Sequence, residues 1–173
     1  MFSREVQFYK ELAHEVGEVW LFTYGERDEQ YRDRLGPNIR LFHKRCKCPP
    51  SHYAFMIPFV YRKQLKQVDA IRIHQVAGAI PTLLTHWFYR KPLIVRAGFQ
   101  WYSFSKYQGA SRLKLAAISI IERLAYRAAT TIIHTTQTDA DFVTSRYGVT
   151  TDKIHVIPNW VDTELFRLMT VEK

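Results

Sequence analysis

Short apolar runs of β character alternate along this chain with longer segments of helical period, and that alternation constrains the architecture most. In the second half the runs are AIRIHQ, PLIVRAG, TTIIHTTQ and KIHVIPN. Between them lie GAIPTLLTHWFYRK, SRLKLAAISIIERLAYRAA and TDADFVTSRYG, each long enough for a helix. Strands joined by helical crossovers pair in parallel, so a parallel sheet with helices on both faces is expected. It should hold five or six strands, with PLIVR, TTIIHT and IHVIP as neighbours. EVWLFTYG and IRLFHK are the earlier strands. Val6, Tyr9, Leu12, Ala13 and Val16 recur at helical spacing before them, and Gly17 ends that run. ERDEQYRDRLGPN reads as a loop or short helix, and CKCPPSH as a loop. YAFMIPFVYRKQLKQV reads as a helix that contains Pro58 near its middle. There is no internal repeat and no low-complexity tract.

The 173 residues fit one domain, and a net charge of +9 suits an anionic partner: phosphate, nucleic acid or an anionic membrane surface. MFSREVQFYKELAHEV carries charges throughout and lacks the apolar core of a signal peptide. LKLAAISIIERLAYRAA is broken by Lys114, Glu122, Arg123 and Arg127, whereas a membrane span needs roughly 20 apolar residues. Cys46 and Cys48 are separated by one residue, a poor spacing for a structural disulfide. A reducing, cytosolic location is the expectation, with peripheral membrane contact left open.

In open parallel sheets, ligands bind outside the carboxyl ends of the strands. The residues expected there are Tyr24-Gly25, His74-Gln75, Arg96-Ala97-Gly98, Thr136-Gln137 and Pro158-Asn159. His74 is either a satisfied structural histidine or a general base titrating near neutrality. RAGFQWYSFSKYQG is an aromatic loop that either packs on its own body or stacks on a sugar or acyl chain. His43, Cys46, Cys48 and His52 form a zinc-type ligand set at the wrong spacing, so no metal is expected. Arg40, Lys44, Arg45 and Lys47, with Arg62, Lys63 and Lys66, form the densest basic region: a solvated face or a lipid-headgroup contact. No nucleic-acid signature accompanies the charge. GxGxxG, P-loop and G-x-S-x-G patterns are absent, which weighs against a dinucleotide domain, an NTPase and an α/β-hydrolase, and no cofactor is expected.

DKIHVIPNWVDTELFR resembles a signature of glycosyltransferase family 4, K-I-x-V-I-P-N-G-V-D followed by phenylalanine. Lys153, Ile154, Val156, Ile157, Pro158, Asn159, Val161, Asp162 and Phe166 match, and Trp160 replaces the glycine. VDAIRIHQVAGAIPTLLTHWFYRKPLIVR and RAATTIIHTTQTDADFV resemble other parts of the family's N-terminal domain. The resemblance implies a GT-B fold, in which a Rossmann-like N-terminal domain holds the acceptor and a second domain binds the nucleotide-sugar donor. It implies that residues 1–173 are a single acceptor-side domain, without the donor-binding domain and inactive alone. The acceptor would be a glycan or a lipid-linked acceptor, and the protein cytoplasmic or at the inner face of the membrane. Family members begin with an apolar strand and a Gly-Gly loop before the first helix. This chain is therefore expected to lack the first, central strand, leaving EVWLFTYG and AIRIHQ forced together or separated by a gap. Many members carry a histidine after the PLIV-like strand, where this chain has Arg96-Ala97-Gly98. The implied roles are His74 as substitute base, Arg96, Gly98, Trp101 and Tyr102 at the acceptor, and Pro158, Asn159, Trp160 and Asp162 at the hinge. The alternatives are a non-catalytic partner- or membrane-binding fragment, or half of a sugar-nucleotide epimerase.

Overall fold

The computed structural model describes residues 2–159, which form an α/β fold with every strand pair parallel. The chain separates into two compact units, Met1–Met56 and Ile57–Lys173.

In the first unit, helix α1 (Phe2–Val16) is stopped by Gly17, whose φ of +87° suits a residue without Cβ. Strand β1 (Val19–Phe22) pairs with β2 (Ile39–Phe42), Val19 opposite Ile39 and Phe22 opposite Phe42. Between them lie a 3-10 turn (Asp28–Tyr31) and the single-turn helix α2 (Arg32–Leu35). Ala13, Leu35, Ile39 and Leu41 are buried together, and Val6, Tyr9, Val19 and Leu21 pack against them. Val16 is exposed, so the apolar face of α1 is shorter than its spacing predicts.

The basic region is partly neutralised here. Lys44 is buried and pairs with Glu26 at 3.0 Å. Arg40 pairs with Glu18 and lies over the Trp20 ring. Cys46 and Cys48 are joined in a disulfide. That corrects the reading of their spacing and removes the argument for a reducing compartment that was built on it.

The predicted helix around Pro58 is split into α3 (Pro50–Val60) and α4 (Arg62–Leu65). Pro58 lacks the N–H that the Ala54 carbonyl would otherwise accept from, yet it is held inside α3, and the break falls three residues later at Tyr61. The second unit then runs β3 (Ile71–Ile73), α5 (Ala79–Tyr89), β4 (Leu93–Ala97), α6 (Trp101–Tyr107), α7 (Arg112–Ala128), β5 (Thr131–His134), α8 (Gln137–Tyr147) and β6 (Ile154–Val156). Its sheet order is β3-β4-β5-β6. PLIVR, TTIIHT and IHVIP are neighbours, as expected. Among the described residues six strands divide into sheets of two and four, with β1 and β3 in different ladders, which corrects the expectation of one sheet of five or six.

Alternation along these strands places Ile71, Ile73, Leu93, Val95, Ala97 and Ile132 on one buried face. Residues of α5, α7 and α8, among them Leu83, Tyr126, Val143 and Tyr147, complete that core. Ser111 and Thr136 cap α7 and α8 with their hydroxyls, and Gly148 at φ +64° ends α8.

Candidate functional site

The carboxyl ends of β3, β4, β5 and β6 form one continuous edge. In the ladders Ala97 lies beside His134 and His134 beside Val156, and the Ile157 N–H donates to the His134 carbonyl at 2.8 Å. His74 follows β3 directly and is half-buried. Pro158 and Asn159 follow β6; Trp160 and Asp162, the other two residues expected at a hinge, lie outside the described residues.

Two of the expected residues meet. Arg96, on the half-exposed face of β4, donates from Nη2 to Asn159 Oδ1 at 2.7 Å. One strand, β5, lies between them. Strands are about 4.8 Å apart, so the reach is close to two strand spacings, which an arginine side chain spans. The guanidinium carries five N–H donors, so the bond to Asn159 leaves capacity to grip an anion. Beside it, a Cβ added at Gly98 would meet nothing within 4 Å, so this glycine leaves open space on the edge. At the end of β1 the opposite holds: the Gly25 N–H donates to Asp28, and a Cβ there would collide with that carboxylate.

The aromatic segment after β4 is helix α6, where a loop was expected. Trp101 packs against the core of the unit. The Tyr102 N–H donates to Glu122 Oε1 at 3.2 Å, and the Arg146 guanidinium lies 3.7 Å from the Tyr102 ring centre. Both residues are therefore engaged inward, and the exposed aromatics of this segment are Phe99, Phe104 and Tyr107.

Beneath this edge lies a buried polar cluster that sequence reasoning missed. Glu122 of α7 is fully buried; its second oxygen accepts from the Tyr147 hydroxyl. Burial raises the Glu122 carboxyl above the usual range, opposed by the Tyr147 and backbone hydrogen bonds and by Arg146. The same burial, with Glu122 alongside, pushes Tyr147 up to about 12. His134 is fully buried against Tyr126, and neither ring nitrogen makes a hydrogen bond of ordinary geometry. Its burial lowers the imidazole value; the Asp139 carboxylate and the Ala97 backbone oppose that less strongly. Gln100, which precedes α6, donates to the Asp139 carbonyl at 3.3 Å. The cluster ties α6, α7 and α8 together under the β4 end. Its sequence signal was a lone carboxylate, Glu122, on the face of the helix that also carries Ile118, Ala125 and Tyr126.

A search of curated proteins returns no match to this chain. The sequence profile of Glycosyltransferase Family 4 matches residues 6–165, which spans both units and the edge just described. Parallel strands, helical crossovers and this profile agree, and the chain belongs to Glycosyltransferase Family 4.

Proposed function

We propose that this chain is the acceptor side of an enzyme that moves a sugar from a nucleotide-sugar donor to a hydroxyl of a glycan or lipid-linked acceptor. The observation that carries the reading is the Arg96–Asn159 hydrogen bond, which couples a cation at the end of β4 to the segment after β6. Arg96 holds an anionic group of the acceptor, and Gly98 leaves room for it. His74, at the end of β3, takes the proton of the attacking hydroxyl, as an imidazole can near neutrality. Trp101 and Tyr102 fix the wall of the pocket through α6. Pro158 and Asn159, with Trp160 and Asp162 beyond them, set the hinge. The donor is assigned to a second domain, so residues 1–173 alone carry out no transfer. A cytoplasmic location belongs to the same reading, because the donor is a nucleotide sugar.

Titration of the chain with a sugar phosphate, followed by amide chemical shifts, tests it. Shifts should cluster at residues 74–75, 96–98 and 157–159 and vanish in Arg96→Ala. Shifts elsewhere, or unchanged in that variant, would overturn the assignment.

A further inference from the structure

The outer face of α7 is apolar where a solvated helix would be polar. At about 100° per residue, Leu113, Ile120 and Leu124 fall within about 40° of one another. They are 83%, 60% and 41% exposed. The inward face is the opposite one, with Ile118, Glu122 and Ala125 buried. Arg112, Arg123 and Arg127 run along one flank of the stripe and Lys114 along the other, all exposed. The only carboxylate of α7, Glu122, points into the core. Before it, no Asp or Glu occurs between residues 70 and 121. At the N-terminal end of the stripe the corner from α6 adds Tyr107, 91% exposed, and Lys106.

A narrow apolar stripe flanked by cations, with the helix's single carboxylate turned inward, is the pattern of a helix lying in a membrane interface. Arginine and lysine stems cover apolar surface while their heads stay at the headgroup level, and tyrosine sits well at that depth. A second copy of the chain is a poor occupant, because facing stripes would bring the same cations together. We propose that α7 and the α6–α7 corner dock on an anionic lipid bilayer, the stripe entering the interface and Arg112, Lys114, Arg123 and Arg127 meeting lipid phosphates. This surface differs from the basic region singled out in the sequence, part of which is ion-paired in the first unit. It does not rest on the transferase reading, since lipid binding is measured without donor or acceptor.

Co-sedimentation of the 173-residue chain with vesicles tests it. The chain should partition onto phosphatidylcholine mixed with phosphatidylglycerol, and far less onto phosphatidylcholine alone. Added salt should release it. Leu113→Asp with Ile120→Asp should abolish binding while circular dichroism and melting stay unchanged, since both side chains are exposed. Arg112→Gln with Lys114→Gln should weaken partition by about fivefold for each cation removed. Three results would overturn the proposal: no preference for anionic vesicles, undiminished binding of the Asp variant, or self-association through the stripe in place of lipid binding.

Discussion

Among the described residues, Met1–Met56 buries a cluster of four apolar side chains under two strands, whereas Ile57–Lys173 buries fifteen under four. Two strands alone are marginal in water, and three or more with a buried face can stand independently. Charge is divided as sharply. Residues 1–56 hold nine Lys and Arg against eight Asp and Glu, several interlocked as Glu18–Arg40, Glu26–Lys44 and Glu29–Arg32. Residues 57–121 hold ten against one, and the rest of the chain, outside that stretch, is balanced at fifteen of each. The first unit leans on charge pairs, of which Glu18–Arg40 and Glu29–Arg32 lie at the surface, where such pairs are individually weak and screened by salt; the second leans on burial. The candidate site stands on the second, where a packed core can hold side chains in place.

Core truncation should separate the two units most. Leu93 is fully buried in the large cluster, so Leu93→Ala should cost about 2–5 kcal/mol by urea denaturation. Leu41→Ala, in the small cluster, should cost less and leave the melting of β4 and β5 unchanged. Equal losses would break the comparison.

Next in size is the buried carboxylate. Glu122→Ala removes the acceptor of the Tyr102 N–H and of the Tyr147 hydroxyl proton, about 1–3 kcal/mol. The pH dependence has a definite sign. Glu122 is raised when folded, so its contribution is complete below the ordinary value of 4.5 and is lost as pH rises through the higher folded value. His134 works the other way: it is lowered when folded, so its contribution is present above 6.5 and lost as pH falls through the depressed value. Comparing Glu122→Gln with the parent across pH isolates the first effect. The variant should lose stability less steeply as pH rises above 4.5.

The smallest effect sharpens the comparison. Gly17 and Gly148 both have positive φ, and an added Cβ meets nothing within 4 Å at either. Alanine therefore imposes backbone strain alone, about 1 kcal/mol. Gly148→Ala should lower the global midpoint; Gly17→Ala should act only on the first unit.

The strands and their carboxyl edge were legible because apolar runs and long connections survive any packing detail. Arg96, Asn159 and His74 could be placed on that edge from order alone. Their contact could not, since the Arg96–Asn159 bond reaches across β5 and depends on register. Helix α6 was hidden because seven residues rich in aromatics and serine carry no clear period. Glu122 was read as a charge that interrupts an apolar helix. Only the fold brings Tyr147 and the Tyr102 N–H to its two oxygens. The division of β1 and β3 between two ladders was not legible, since it turns on pairing between strands far apart in sequence.

Native-state hydrogen exchange on the chain tests the central contrast most directly. Amides in the ladders of β4 and β5 should exchange slowest, at the free energy of global unfolding, while those of β1 and β2 exchange through a smaller local opening. Equal protection in the two ladders, or greater protection in β1 and β2, would contradict the account.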